Sequence, residues 1–274
     1  MSNNSLRYYD DIAGRAHLQL AETHASGIVI VEGESDRDAL ASIVSRRCLL
    51  VAGNRRSVFD TATSLLDIGN SRIICVFDPD FVSDPAELED KSVLFPYPTA
   101  DLESFILELG AAEIAIKSAV PRGQLDKVGG VAQVVWHIKA NLRGVSTIRL
   151  LNAVYDWGLS FNASLSSFVS VNGDVDLEKY LRMLLAKRAP NKAHPILEID
   201  SVQARVAECE APDRYRGRDF LQLYSGLLSR GYLKAKHGLS LSAASLEYAL
   251  EVAAPAMLAN SDWGRALQEK WERL

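Results

Sequence analysis

Two stretches decide the fold: Gly27-Ile28-Val29-Ile30-Val31-Glu32-Gly33-Glu34-Ser35-Asp36 and, forty-five residues on, Arg72-Ile73-Ile74-Cys75-Val76-Phe77-Asp78-Pro79-Asp80. Each is a short apolar run rich in β-branched residues, the pattern of a strand buried on both faces. Each then ends in carboxylates. Parallel sheets carry ligand chemistry at the carboxyl ends of their strands. As parallel neighbours, the two runs bring Glu32, Asp78 and Asp80 to one edge. Carboxylates gathered there repel one another unless a hard cation lies between them, and oxygen-only ligands suit Mg²⁺ or Mn²⁺. Asp78 and Asp80, two residues apart, share a face where the chain is extended. Pro79 between them also reads as a turn that aims the pair.

Working outward, Ser35 or Asp36 caps a helix that runs to Arg47, and residues 48–52 (Cys-Leu-Leu-Val-Ala) form a second buried strand ended by Gly53. Ser57 caps the next helix, which runs to Asp67 with Gly69 as its stop. This strand–helix–strand–helix–strand order implies parallel strands with right-handed crossovers. Leu6, Tyr9, Ile12, Ala16, Leu18 and Leu20 predict a helix over 5–25, packed beside the core. Residues 84–91 read as an acidic loop, and Val93-Leu94-Phe95 as a fourth strand ended by Pro96 and Pro98. Thr99 or Asp101 opens a helix to Leu109 that Gly110 closes.

Beyond that the apolar spacing turns helical, as in Leu177, Tyr180, Leu181, Leu184 and in Phe220, Leu223, Leu227. Breaks fall at Gly129-Gly130, at Asn172-Gly173-Asp174 and around 188–191. The expected class is α/β: a parallel sheet with flanking helices, then a mostly α-helical C-terminal region. Three segments follow: an N-terminal helix over 1–26, a catalytic α/β domain over 27–110, and a helical domain over 111–274 for substrate, partner or dimer contacts.

The 274 residues are 48% hydrophobic with a mean hydropathy near zero, enough for a sizeable core. No apolar run approaches a membrane span, and the N-terminus lacks an apolar leader, so the expected setting is cytoplasmic. Cys48, Cys75 and Cys209 are odd in number and widely spaced, which suits buried thiols and excludes a disulfide frame or a zinc site. The net charge of −5 is unevenly spread. Residues 1–110 hold 9 basic and 18 acidic side chains, the rest 21 and 17. Bound cations would neutralise part of the first excess, while Lys187-Arg188 with Lys192, and Arg214, Arg216 and Arg218, form basic clusters suited to phosphates. A solvated helical surface would have the same composition. No G-x-S-x-G elbow or G-K-[ST] loop appears, so acyl transfer and self-contained ATP hydrolysis have no support in the sequence.

The ordered pair Glu32-Gly33-Glu34-Ser35-Asp36 and Asp78-Pro79-Asp80 resembles the signature of the Toprim family, shared by topoisomerases, bacterial primases and OLD-type nucleases. More narrowly, the chain is similar to the small Toprim effector nucleases of bacterial anti-phage defence, such as that of the PARIS system. The resemblance covers residues 27–110 best. It implies a metal-dependent endonuclease, cutting DNA or RNA with Mg²⁺ or Mn²⁺, in which Glu32, Asp78 and Asp80 are catalytic and bind metal. It further implies nucleic acid as substrate, an ABC/AAA-type ATPase as controlling partner, and a homodimer.

Other residues join the candidate site with structural alternatives beside them. Asp36 is either a metal ligand or a helix cap. Asp101 and Glu103, at a helix start, match a further acidic position of the family, though the helix dipole alone favours acids there. Gly33, lacking a Cβ, permits close approach of backbone or substrate. Asn54, Arg55 and Arg56 lie where a helix N-terminus beside guanidinium groups suits a phosphate. The alternative to a nuclease is a non-catalytic module of the same fold that binds a phosphorylated ligand or a partner ATPase.

Overall fold

In the computed structural model, the described residues are 12–22, 27–81, 91–188, 197–237, 239 and 241–274. The acidic loop over 84–90, Leu6 and Tyr9 of the N-terminal helix, and Lys192 lie outside them. The chain forms two compact units. The first comprises residues 1–79, 84–102 and 251–274; the second comprises 80–83 and 103–250.

The first unit is built on strand β1 (Ile28–Val31), every residue of which is buried. Helix α1 (Ile12–Glu22) precedes it, and α2 (Glu34–Leu40), β2 (Leu49–Val51), α3 (Arg55–Asp67) and β3 (Ile73–Cys75) follow. The sheet is parallel with order β2-β1-β3, pairing Val29 with Leu49 on one side and with Ile74 on the other. The chain is therefore α/β with a small three-stranded parallel sheet followed by a helical region, as its periodicities predict. Ala16 and Leu20 of α1, Val58, Ala62 and Leu65 of α3, and the sheet residues Ile28, Ile30, Ile73 and Cys75 share one buried cluster. Burial pushes the Cys75 thiol up to about 12.

Several predicted elements differ from what forms. Helix α2 stops at Leu40, not Arg47: Ser42, Ile43, Val44 and Ser45 favour turns or strands, and the Ile43 and Val44 amides both return to the Leu40 carbonyl. Gly33 occupies the N-cap position of α2, in place of Ser35 or Asp36. Asn54, not Ser57, caps α3; its side-chain oxygen accepts from the Ser57 N–H at 2.9 Å.

The fourth strand is reduced to a single parallel bridge between Cys75 and Leu94. The Phe95 and Tyr97 amides donate to the Cys75 and Phe77 carbonyls, while the alternate residues Pro96 and Pro98 have no N–H to offer. That alternation leaves the outer side of the segment without donors and keeps it at an edge. Helix α12 (Asp262–Glu272) returns to this edge. Trp263 packs its ring against Phe95 and Tyr97, and Lys270 Nζ donates to the Ser92 and Leu94 carbonyls.

The second unit is helical: most of α4 (Leu102–Ile106), α5 (Ala112–Ala119), α6 (Arg122–Lys127), the 25-residue α7 (Val131–Tyr155), α8 (Leu177–Ala186), α9 (Ile199–Glu208), α10 (Gly217–Ser229) and the first part of α11 (Ala243–Ala259). Gly110 ends the helical stretch that begins at Leu102, as the sequence predicts. At φ 108 its backbone leaves the helical region, and the chain kinks there before α5 begins. Arg149 of α7 makes two bonds to Asp219 of α10, Nε at 2.6 Å and Nη2 at 2.7 Å, with Asp219 buried, Arg149 partly so, and the guanidinium 4.1 Å from the centre of the Phe161 ring. Among the described residues no helix is long and apolar enough to cross a membrane.

Candidate functional site

Parallel pairing places the ends of β1 and β3 side by side. The ladder continues past Cys75 with the Val76 N–H on the Ile30 carbonyl at 2.9 Å. Two residues later the next rung would send the Asp78 N–H to the Glu32 carbonyl, but that carbonyl already accepts from the Gly53 N–H at 2.8 Å. The Glu32 side chain supplies the missing acceptor: Asp78 N–H donates to Glu32 Oε1 at 2.9 Å. Glu32 and Asp78 are therefore brought together at the carboxyl edge of adjacent strands, with the Glu32 carboxylate standing as an extra rung of the sheet.

Asp78 in turn receives the N–H of Leu102, the first residue of α4, on Oδ1 at 3.2 Å. A carboxylate accepting from a helix-terminal amide is favoured by hydrogen bonding and dipole alike. Arg55 is aimed at the same edge: Nη1 donates to the Asp78 and Pro79 carbonyls at 3.3 and 3.1 Å. Arg55 thus braces the backbone of the acidic segment. Arg56, 88% exposed and 3.8 Å from Asp60 Oδ2, points to solvent. Asn54 is engaged as the cap of α3.

Asp36 is buried at 8% exposure and has a structural task. At the third position of α2 its Oδ2 reaches back to the N-cap amide of Gly33 at 2.9 Å, the acidic half of a capping box. Its Oδ1 accepts from the Tyr97 hydroxyl at 2.8 Å. Burial raises its pKa above the usual carboxylate range, the two hydrogen bonds oppose that rise, and the negative charge of Asp101 adds to it. Asp101 itself is 1% exposed. Gly33 is extended, at φ −129, and a Cβ there would meet Asp36 Oδ2 at an ordinary 3.5 Å, so no present neighbour demands a glycine.

Asp80 and Glu103 belong to the second unit. Asp80 adopts φ 49, a left-handed turn, so strand alternation does not govern how its side chain stands relative to Asp78. Its carbonyl accepts from Arg214 Nη1 at 3.3 Å, and its carboxylate lies 3.7 Å from Arg216 Nε. Two of the three predicted contact arginines thus converge on the Asp80 turn, while Arg218 faces Glu247 at 3.8 Å. Glu103 lies against Gly217, where any Cβ would collide with the Glu103 side chain and with the Ser104 amide nitrogen at 2.5 Å. That close approach requires glycine at the start of α10.

The donor set near the β1 and β3 ends is carboxylate oxygen, chemistry that fits a hard divalent cation. Among the described residues, however, no group of three or more His, Cys, Asp and Glu side chains is arranged to hold a metal ion. Sequence reasoning missed Tyr97, which holds Asp36, and Trp263, which stacks on Tyr97. The available signal was an aromatic flanked by two prolines directly after the apolar run Val93-Leu94-Phe95. Comparison with protein-family models, curated proteins and solved structures finds no match to this chain.

Proposed function

We propose that the chain is a divalent-metal-dependent phosphodiester hydrolase acting on nucleic acid, centred on Glu32 and Asp78. The observation that carries this is the meeting of the two acids at the carboxyl ends of adjacent parallel strands, tied by the 2.9 Å bond from the Asp78 amide to Glu32. Open α/β sheets place ligand chemistry at that edge. Glu32 and Asp78 would hold Mg²⁺ or Mn²⁺, which when bound supplies charge stabilisation at the phosphoryl group and a more acidic water. Glu32 would serve as a ligand to that ion or as the general base for the attacking water, its carboxylate direction set by the Asp78 amide on Oε1. Arg55, held on the Asp78 and Pro79 carbonyls, keeps that segment in place.

The Toprim resemblance extends the proposal. Asp80 and Glu103 would be further acids of the chemistry, Arg214, Arg216 and Arg218 contacts to the phosphate backbone, and the protein an effector of anti-phage defence governed by an ATPase partner. A second reading draws on a different observation. Glu32 and Asp78 each accept from a backbone amide, and the described residues present no three-membered acidic cage. That favours a non-catalytic module for a phosphorylated ligand or an ATPase partner.

End-labelled DNA and RNA incubated with purified protein separate the two. Cleavage is expected in Mg²⁺ or Mn²⁺, weak or absent in Ca²⁺ because its looser coordination misplaces the water, and lost in EDTA and in Asp78→Asn. No cleavage of either polymer with either metal, alone or with an ATPase partner, would leave the second reading in possession. Full cleavage in EDTA would overturn the metal chemistry.

A further inference from the structure

The peptide that joins Glu32 to Gly33 is fixed from two sides. The Glu32 carbonyl accepts from the Gly53 N–H at 2.8 Å, and the Gly33 N–H donates to Asp36 Oδ2 at 2.9 Å. Asp36 is fixed in its turn by Tyr97, whose hydroxyl donates to Oδ1 at 2.8 Å across 61 residues of sequence. Tyr97 is 1% exposed, with its amide on the Phe77 carbonyl. Its ring stacks on Trp263, with centroids 5.0 Å apart and planes at 29°, and the Trp263 indole N–H donates to the Pro96 carbonyl at 3.0 Å. A continuous set of contacts thus leads from the first turn of α12 to the backbone of Glu32, all within the first unit.

A helix cap does not by itself call for this arrangement. A neutral Gln at the third helical position can serve the N-cap amide without bringing a buried charge. Here a carboxylate is taken out of water, which is unfavourable, and its second oxygen is then given a dedicated donor from a rigidly packed ring. Such supporting hydrogen bonds are how reactive groups are kept within the fraction of an ångström that chemistry needs.

We infer that Tyr97 is a positioning residue for Glu32, acting through Asp36 and the Gly33 amide, and that Trp263 of α12 holds Tyr97 in that role. The inference rests on the assignment of Glu32 to the hydrolytic site. It adds that the C-terminal helix, distant in sequence from both acidic motifs, tunes that site.

Two readouts test it on the full-length protein. The first is amide exchange at Gly33 followed by NMR, which does not depend on activity. Tyr97→Phe removes only the hydroxyl, so Gly33 exchange is expected to quicken by about tenfold or more, while the Ile30 and Val31 amides keep wild-type protection. The second is cleavage with Mn²⁺. Tyr97→Phe is expected to lower kcat by about ten- to a hundredfold with KM within about twofold, the signature of misplacement and not of lost binding. Trp263→Phe keeps a stacking ring but loses the bond to the Pro96 carbonyl and should fall between wild type and Trp263→Leu in both readouts, whereas Trp263→Leu should follow Tyr97→Phe. Should Tyr97→Phe also lose Ile30 and Val31 protection, the Trp263 pair decides. Unchanged Gly33 exchange, or unchanged kcat in an active protein, would overturn the inference. A wild-type protein that cuts nothing would overturn the proposed function instead, and the exchange readout would still decide whether Tyr97 holds the Gly33 amide.

Discussion

Replacing Glu32 by Gln and by Ala separates what its carboxylate does for the sheet from what it does for chemistry. The side chain extends the β1–β3 ladder by accepting the Asp78 N–H at 2.9 Å. Both substitutions remove the negative charge and relieve the same repulsion from Asp78, so their difference isolates the acceptor. Gln retains a carbonyl oxygen at nearly the same reach; Ala leaves the amide to water or unpaired. A net neutral hydrogen bond contributes about 0.5–1.5 kcal/mol, and this one is partly buried, so Glu32→Ala should be about 1 kcal/mol less stable than Glu32→Gln. For a chain of this size that is a difference in Tm of about 2–4 °C. Urea titration followed by circular dichroism reads the stability, and cleavage of labelled nucleic acid with Mn²⁺ reads the chemistry. Both variants should be inactive, since neither accepts a proton as a carboxylate does. Equal stability of the two would refute the extra-rung geometry, and wild-type cleavage by Glu32→Gln would refute the role of Glu32 in hydrolysis.

Two further outcomes follow from the packing. Arg149→Met leaves Asp219, 3% exposed, as an unpaired buried charge, and should cost about 3–5 kcal/mol in urea unfolding; Arg149→Met with Asp219→Leu should recover much of it, and a single variant as stable as wild type would contradict the buried pair. Burial raises the Asp36 pKa in the folded chain above its ordinary 3.8, so between those two values the native state binds the extra proton and stability falls as pH rises through that window. Asp36→Asn removes this slope, its amide oxygen serving Gly33 and its NH₂ group serving the Tyr97 oxygen. The Tm of the variant relative to wild type should therefore climb from pH 4 to pH 7, and a difference independent of pH would contradict the shift.

The sheet and its acidic ends were legible because they rest on local pattern. Runs such as Ile28–Val31 and Ile73–Cys75, separated by helical spacing, leave few alternatives to parallel pairing. Glu32 and Asp78 followed from that topology alone. Boundaries were less legible where competing preferences are close: Asn54 and Ser57 are both good caps, and only the extended backbone at Asn54 selects it. The 94–97 segment has strand composition and bonds to β3 through Phe95 and Tyr97, but it forms only one bridge, and the prolines at 96 and 98 leave its outer side without donors. Gly110 reads as a stop from sequence and is one, its positive φ placing a kink before the next helix. The Tyr97–Asp36 and Arg149–Asp219 pairs span 61 and 70 residues, and no local periodicity reports contacts of that range.

The claim that Glu32 and Asp78 form a cation site for phosphodiester chemistry is tested most directly by crystals soaked in Mn²⁺ and measured at the manganese absorption edge. An anomalous peak within coordination distance of both carboxylates, about 2.2 Å for an oxygen-bound ion of this size, is the predicted result. It should vanish in crystals of Asp78→Asn. Fully soaked crystals with no peak at the β1–β3 edge, or with manganese bound only elsewhere, would contradict it.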